Sequence, residues 1–127
     1  MTQKNNIIEI SLPFKADFVS VARLSVSGIA SRLAFDIEEI EDIKVSISEV
    51  CNKFILSGSK ITEHFNIVFK ILKREIIIVF KCSDVSLRSI FDSDDGLGVS
   101  IIKALMDDVK ILNEDDEIIS ISKKLER

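Results

Sequence analysis

The stretch DIEEIEDIKVSISEVCNKFIL, residues 36 to 56, decides how this chain folds. Its apolar residues recur at steps of three or four, which places them on one stripe of an α-helix: Ile40, Ile43, Ile47, Val50 and Phe54. Asp36 and Glu39 have the spacing of a capping box, and Ser57-Gly58-Ser59 ends the pattern with small residues. The sequence therefore predicts one long amphipathic helix that packs its stripe on a core.

A second face of this helix is polar, and it carries Asp42, Ser46, Glu49 and Lys53 at the same helical steps. Most polar helix faces are only the solvated side of a core helix, and that is the default interpretation here. A functional interpretation stands beside it, because the face points a carboxylate and an amine in the same direction. Lys53 follows Glu49 by four residues, a spacing that favours an ion pair between them.

The composition favours a single folded domain over residues 1–127. Hydrophobic residues make up 46% of the chain and charged residues 30%, which is enough for a core under a polar surface. The net charge of -4 and the lack of a basic patch argue against direct contact with nucleic acid. The longest apolar runs, such as residues 76–80, are too short for a membrane span, and the first residues lack signal-peptide character. We therefore expect a cytoplasmic protein.

Residues that commonly bind metals are few in this sequence. Cys51 and Cys82 cannot build a disulfide framework or a zinc site, so we expect both to be small core residues. His64 is the only histidine, and we expect it on a strand. The sequence predicts no metal site made by clustered side chains.

Periodicity and turn residues divide the rest of the chain into short elements. Strands are predicted at residues 7–12, 61–72, 76–82, 108–113 and 118–125, and further helices at 16–33 and 99–106. The second and third strands predict an antiparallel hairpin with the third strand central, whereas residues 83–95 are predicted to be irregular. Ser25 and Gly28 make the first helix thin, so that a neighbour can pack closely there. The order β-α-α-β-β-α-β-β predicts an α/β (α+β) sandwich, with a mixed, largely antiparallel sheet and helices on one face.

Three segments, taken in order, carry a resemblance to a known family. SVARLSVSGIASRL (20–33), IEEIEDIKVSISEVC (37–51) and DGLGVSIIKALMDDVKI (95–111) resemble the RsbW-type anti-sigma factors of the GHKL (histidine kinase-like, Bergerat-type) ATPase superfamily. The resemblance implies a protein that binds a sigma factor and releases it to an anti-anti-sigma competitor. It also implies a homodimer that uses ATP with Mg2+ to phosphorylate a serine of that competitor.

The resemblance implies a role for five residues. Glu49 takes the place of the glutamate that acts as general base toward the substrate serine. Lys53 stands where the family has the asparagine that holds Mg2+. Gly96 and Gly98 match the glycine motif whose backbone approaches the phosphates of ATP. Arg23 matches an arginine that contacts both the sigma factor and the anti-anti-sigma protein.

The sequence departs from the family pattern at separate parts of the nucleotide pocket. The ammonium of Lys53 only donates hydrogen bonds and carries positive charge, so it cannot ligate a metal ion. Lys81-Cys82-Ser83 lacks the aspartate and the glycine that receive adenine, and Asp84 could substitute only if the strand end shifts. Asp116-Glu117-Ile118 replaces a Gly-Thr motif, and the loop over residues 83–95 is shorter than the family's ATP lid.

These departures lead to one leading hypothesis and two alternatives. The leading hypothesis is an anti-sigma factor with a degenerate ATP pocket, which acts by binding and for which Mg-ATP is weak or absent. The first alternative is an active serine kinase that uses Lys53 to neutralise phosphate charge in place of Mg2+. The second is a GHKL-fold interaction protein with another partner. Whether the chain is an enzyme stays open at this point.

Overall fold

In the computed structural model, which describes residues 6–92 and 97–126, the long helix predicted from the sequence is α2, Ile37–Ser57. Both bonds of its capping box are present: the Asp36 carboxylate accepts from the Glu39 N–H at 2.8 Å, and the Glu39 carboxylate accepts from the Asp36 N–H at 2.9 Å. Gly58 ends the helix at φ 65°, a conformation that glycine adopts without steric cost. The predicted helix and its two ends are therefore confirmed.

The other elements follow in the predicted order. The strands are β1 (Asn6–Pro13), β2 (His64–Ile71), β3 (Glu75–Lys81), β4 (Asp108–Ile111) and β5 (Glu117–Lys124). The other helices are α1 (Val19–Ala30), α3 (Ser89–Asp92) and α4 (Leu97–Leu105), and 3-10 turns lie at Ala16–Phe18 and Val85–Arg88.

The strands form one sheet in the order β1-β2-β3-β5-β4, so β3 is central as predicted. The β2–β3 hairpin is also confirmed, with Phe69 opposite Ile78 in its register. Every neighbouring pair of described strands is antiparallel, which confirms the α+β sandwich and its largely antiparallel sheet. No parallel pair occurs in this described sheet, so the expectation of a mixed sheet is corrected to an antiparallel one.

The core lies between the sheet and the helices, and Phe54 of α2 is at its centre. Its ring contacts those of Phe65 on β2, Phe80 on β3 and Phe91 on α3, at centroid distances of 4.9, 5.9 and 5.7 Å. The apolar stripe of α2 is buried around it, because Ile43, Ile47, Val50 and Phe54 are all 0% exposed. This packing fixes α2 on the sheet, so that its polar face is directed toward α4.

Three segments differ most from their predicted bounds. The first helix begins with a 3-10 turn and ends at Ala30 instead of Leu33. β2 starts at His64 instead of Ile61, whose side chain is 73% exposed and has no core to alternate against. Residues 85–92 are not irregular, because they form a 3-10 turn and a short helix; residues 93–95 lie outside the described part of the chain.

The two cysteines are free and buried, as predicted. Burial raises the pKa of the Cys51 thiol to about 12 and also raises that of Cys82, so neither is a reactive thiolate near neutral pH. No group of three or more metal-ligating side chains occurs among residues 6–92 and 97–126. Within the same ranges, none of the helices combines the length and apolarity that crossing a bilayer requires.

Candidate functional site

The polar face of α2 meets the first turn of α4, and three of the residues singled out in the sequence lie there together. Gly98 of α4 packs directly on Glu49 and Lys53 of α2. A Cβ atom added at Gly98 would lie 2.9 Å from Glu49 Oε2 and 3.1 Å from Lys53 Cε. Close packing therefore explains why position 98 is a glycine, since any larger side chain would push these two groups aside.

Glu49 and Lys53 are both half-buried at this contact. The ion pair expected from their spacing is wrong, because their charged groups do not come within 4.0 Å of each other among the described ion pairs. The ends of both side chains lie against Gly98 in the first turn of α4. A carboxylate and an ammonium are thus available beside a helix N-terminus, without being neutralised by each other.

The other two residues of the polar face have structural partners. Asp42 forms an ion pair with Lys123 of β5 at 3.6 Å, and the Lys123 ammonium also donates to the Leu105 carbonyl at the end of α4. Ser46 is 0% exposed and donates to the Asp42 carbonyl at 2.9 Å. This half of the face is therefore structural but packed, not solvated as the default interpretation expected, and only Glu49 and Lys53 remain for a site.

The end of β3, where the family pattern has its adenine aspartate, is occupied by other contacts. β3 ends at Lys81, whose ammonium lies 3.8 Å from Asp116 in the β4–β5 turn. The Cys82 N–H donates to the Asp116 carbonyl at 2.8 Å. The strand end is therefore tied to the neighbouring turn and has not shifted toward Asp84.

Asp84 is buried and its two carboxylate oxygens are already used. One accepts from the Ser59 hydroxyl at 2.6 Å, and the other accepts from the Ser86 hydroxyl at 2.5 Å and the Ser86 N–H at 3.2 Å. These hydrogen bonds, that from Ser59 first, hold the pKa of Asp84 below its usual range and keep it ionised. Asp84 thus caps the turn that follows β3 and joins it to the end of α2.

The segment Val85–Asp92, which we call the connecting segment, is fastened into the fold between β3 and α4. Leu87 and Phe91 are 2% and 3% exposed, and Phe91 is part of the aromatic core. Arg88 donates from Nε and Nη2 to the Glu117 carbonyl at 3.0 and 2.8 Å, and from Nη2 to the carbonyls of Asp115 at 2.9 Å and Glu114 at 3.4 Å. This arginine therefore clamps the connecting segment to the β4–β5 turn.

The hydrogen bonds of Arg88 and the burial of the connecting segment were not predicted, although the sequence contains one indication of the burial. Leu87, Ile90 and Phe91 are spaced as one turn of helix, which indicates a buried face inside a stretch rich in serine and aspartate. The partners of Arg88 carried no signal, because they are backbone carbonyls 26 to 29 residues away.

Replacing Arg88 by alanine is expected to lower the free energy of unfolding by about 2 kcal/mol, because the clamp's charged hydrogen bonds to three carbonyls are lost. Urea denaturation followed by circular dichroism measures the change. Arg23→Ala is the matched control, since Arg23 is exposed and should change stability by less than about 0.5 kcal/mol. Equal stabilities of the two variants would show that the clamp contributes nothing.

Arg23 lies apart from this site, on the exposed side of α1. Its guanidinium has no hydrogen bond or ion pair among the described residues, so it is free to contact another molecule. The adjacent Leu24 is 72% exposed and Val21 is 42% exposed, which gives this helix a mixed apolar and basic surface. Gly96, the other glycine of the predicted phosphate motif, lies outside the described residues.

Five cavities of about 440 to 690 Å³ open on the described surface, and none of these five has Glu49, Lys53 or Gly98 in its lining. The place where these three residues meet is a packed contact and not one of these five cavities.

Comparison with known proteins is consistent with this architecture. An antiparallel sheet with α1, α2 and α4 packed against it has the arrangement of a histidine kinase-like sandwich. No family model matches the chain. It is 30% identical to the serine-protein kinase RsbW of Bacillus cereus (strain AH820) and to that of Bacillus anthracis (strain A0248), over 144 residues that span 100% of this chain and 90% of each relative. The RsbW of Bacillus thuringiensis (strain Al Hakam) is 28% identical over the same span. The chain belongs to the RsbW family of serine-protein kinases, which confirms the resemblance seen in its three segments.

Proposed function

We propose that this chain is an anti-sigma factor that acts by binding: it sequesters a sigma factor and releases it when an anti-anti-sigma protein competes. In this proposal the ATP pocket is degenerate, and the switch needs no phosphorylation by the chain itself. The protein acts as a single-domain homodimer in the cytoplasm, where sigma factors meet RNA polymerase. Membership of the RsbW family supports the partner classes.

The contact of Gly98 with Glu49 and Lys53 carries the proposal. A phosphate bound between a helix N-terminus and a facing carboxylate or metal ion needs hydrogen bonds or coordination on both sides. It would hold these two surfaces about 6 Å apart. Here a Cβ atom at Gly98 would already be 2.9 Å from the Glu49 carboxylate. The ends of the Glu49 and Lys53 side chains thus lie where the family pattern places the phosphates, which supports a degenerate pocket.

The chemistry of the surrounding groups supports the same conclusion. Lys53 offers an ammonium where Mg2+ would need an oxygen ligand. Lys81 stands at the end of β3, where the family pattern has the aspartate that accepts from the adenine amino group, and an ammonium can only donate. The connecting segment, clamped by Arg88, cannot close over a nucleotide without breaking its hydrogen bonds.

A serine kinase is the second candidate, and one observation favours it. Glu49 holds its carboxylate beside the first turn of α4, and the end of the Lys53 side chain lies against the same turn, where its ammonium would neutralise phosphate charge. This activity would require α4 to move away from α2 before nucleotide could enter. The third candidate is an interaction protein with another partner. It differs from the proposed anti-sigma factor only in the protein that binds at α1.

The partner surface assigned to Arg23 gives the test of the proposal. The purified chain is expected to bind a sigma factor encoded in the same genome without added nucleotide, and an anti-anti-sigma protein should displace it. Arg23→Glu should weaken both interactions by about tenfold or more, since it reverses a charge at the centre of the surface.

The matched control is Lys60→Glu, which makes the same charge reversal at an exposed lysine of the α2–β2 loop and should leave both affinities unchanged. Surface plasmon resonance with immobilised sigma factor measures all three proteins. No binding to any sigma factor of that genome would favour the third candidate. Equal affinities of Arg23→Glu and the unmodified chain would show that the partner surface lies elsewhere.

A further inference from the structure

α4 is attached to the sheet by polar contacts just beyond its C-terminal end. The helix ends at Leu105, and β4 begins three residues later at Asp108. Between them, the Asp107 N–H donates to the Ser122 carbonyl of β5 at 2.9 Å, and the Asp107 carboxylate accepts from the Lys124 N–H at 2.6 Å. These two hydrogen bonds fix residue 107 on β5, so the C-terminal end of α4 has a defined position.

The N-terminal end of α4 is held by packing. Gly98 lies against the ends of Glu49 and Lys53, and Val99 is buried at 6% exposure. Among the described residues, no hydrogen bond or ion pair joins residues 98–100 to another element. Apolar packing has no preferred direction, whereas a hydrogen bond does. The N-terminal end is therefore the end of α4 that can shift more easily.

Lys123 of β5 connects the end of α4 to α2. Its side chain is 14% exposed, on the face of the sheet that the helices cover. The ammonium donates to the Leu105 carbonyl at 2.5 Å and lies 3.6 Å from the Asp42 carboxylate of α2. A cation at this end of a helix is also favoured by the helix dipole. One ammonium thus joins β5, α4 and α2, and we call Lys123 the brace of α4.

The brace and the Gly98 contact lie at opposite ends of the packing between α2 and α4. Gly98 contacts Glu49, and the brace connects Leu105 to Asp42. Seven residues separate Gly98 from Leu105, and seven also separate Asp42 from Glu49. Both separations correspond to about 10 Å along a helix axis. A change of angle at the brace therefore moves Gly98 relative to Glu49.

A small rotation of α4 is enough to open the contact at Gly98. Nine residues separate Gly98 from Asp107, which is about 13 Å at the helical rise of about 1.5 Å per residue. A tilt of about 15° about Asp107 would therefore displace Gly98 by about 3 Å. This would widen the 2.9 Å approach of a Cβ atom at Gly98 to Glu49 to the about 6 Å that a bound phosphate needs.

We propose that Lys123 is a positioning residue that keeps the pocket closed, because its two contacts hold α4 at the angle at which Gly98 rests on α2. When both contacts are lost, α4 tilts about Asp107 and the phosphate position opens. This inference rests on the proposed function in taking the pocket of the unmodified chain to be closed. The hydrogen bonds of Asp107 to β5 do not involve the Lys123 side chain, so they keep α4 attached at its C-terminal end.

Thiol labelling measures the tilt. Val99→Cys reports on the N-terminal end of α4 and Met106→Cys on the C-terminal end, and both positions are 6% exposed. Adding Lys123→Met should raise the labelling rate of Val99→Cys by about tenfold or more and leave that of Met106→Cys nearly unchanged. A general loosening of the fold would raise both rates alike. Cys51 and Cys82 are buried and give little background.

Lys124→Met is the matched control for the loss of charge. It removes the same charge from the next residue, whose side chain is exposed and whose backbone hydrogen bond to Asp107 remains, so it should change neither rate. Lys123→Arg should keep the labelling slow, since a guanidinium can donate to the same carbonyl and pair with Asp42. Asp42→Asn removes the ion pair alone and should give a smaller increase at the N-terminal position. It keeps the test decisive if Lys123→Met folds poorly.

Inorganic triphosphate with Mg2+ tests whether the tilt opens the phosphate position, because this probe needs no adenine site. In calorimetric titration, Lys123→Met should bind it at least about tenfold more tightly than the unmodified chain or Lys124→Met does, in proportion to the larger open fraction. The variant carries one positive charge fewer than the unmodified chain. A non-specific charge effect would therefore weaken anion binding and cannot produce this gain.

Unchanged labelling of Val99→Cys, or equal increases at both positions, would overturn the role of the brace. Faster labelling at the N-terminal position without triphosphate binding would overturn its control of the pocket. The labelling rates do not depend on nucleotide, whereas saturable ATP binding by the unmodified chain would contradict the proposed function. Failure of the brace and failure of the proposed function are therefore distinguishable.

Discussion

Replacing Phe54 by alanine is expected to lower the free energy of unfolding by about 3–5 kcal/mol, the usual cost of removing a buried phenylalanine. Phe54 is 0% exposed and contacts the rings of Phe65, Phe80 and Phe91. The truncation leaves a cavity where α2, the sheet and the connecting segment meet, and these three elements cannot all close on it. Urea denaturation followed by circular dichroism measures the loss.

The matched control is Leu56→Ala, two residues further along the same helix. Leu56 is 90% exposed, so its truncation should change stability by less than about 0.5 kcal/mol. A loss below about 1 kcal/mol for Phe54→Ala would mean that the aromatic cluster is not the centre of the core. Proteolysis should also cut the connecting segment faster in Phe54→Ala, because Phe91 loses its ring contact.

The second large effect concerns nucleotide. We expect both the unmodified chain and Lys53→Asn to bind Mg-ATP with a dissociation constant above about 1 mM, which is about 4 kcal/mol weaker than a micromolar site. Asparagine at position 53 would restore an oxygen ligand for Mg2+. It would not separate Gly98 from Glu49 or free the end of β3 from Asp116. Restoring one ligand therefore leaves the phosphate and adenine positions filled.

Lys53→Asn thus separates two explanations of the lost pocket. If this single change produced micromolar, Mg-dependent binding, the lysine alone would be the block and the Gly98 contact would open readily. If it produces none, the loss is distributed over several parts of the pocket. Equilibrium dialysis with labelled ATP distinguishes the two results, and the Lys60→Glu protein is an inert comparison.

The main elements of the fold could be predicted from the sequence because their signals are local. The stripe from Ile40 to Phe54 and the capping pair of Asp36 and Glu39 depend on residues three or four apart, which fix α2 without knowledge of its partners. The alternation of Phe65, Ile67 and Phe69 likewise predicted β2 and its buried face. The β2–β3 hairpin followed from the short polar connection between these two strands, whereas the positions of β1, β4 and β5 in the sheet were not predicted.

The sequence predicted which residues belong to the candidate site, but not how they contact one another. Glu49, Lys53 and Gly98 were singled out by spacing and resemblance, but their mutual contact joins residues 45 and more positions apart and depends on where α4 packs. The same limit explains the ion pair that does not form. Helical spacing brings Glu49 and Lys53 to one face, but both side chains then pack against Gly98 of α4, a contact that their spacing does not predict.

The connecting segment is ordered although it was predicted to be irregular. Its serines and aspartates indicated an irregular loop, because these residues favour turns. Asp84 and Ser86 do make such a turn, but they use it to start an ordered segment that buries Leu87 and Phe91. The segment therefore contains both turn-forming polar residues and buried apolar residues. The prediction relied on its polar composition and so overlooked the apolar residues.

The central claim is that this chain switches by binding and not by phosphorylation. Calorimetric titration of the unmodified protein with ATP, with and without Mg2+, tests it most directly. We expect no saturable binding up to about 1 mM ATP in either buffer, the upper end of the range in which enzymes usually bind their substrates. Saturable, Mg-dependent binding at micromolar concentration would contradict it, since the triphosphate would then have a place between Gly98 and Glu49.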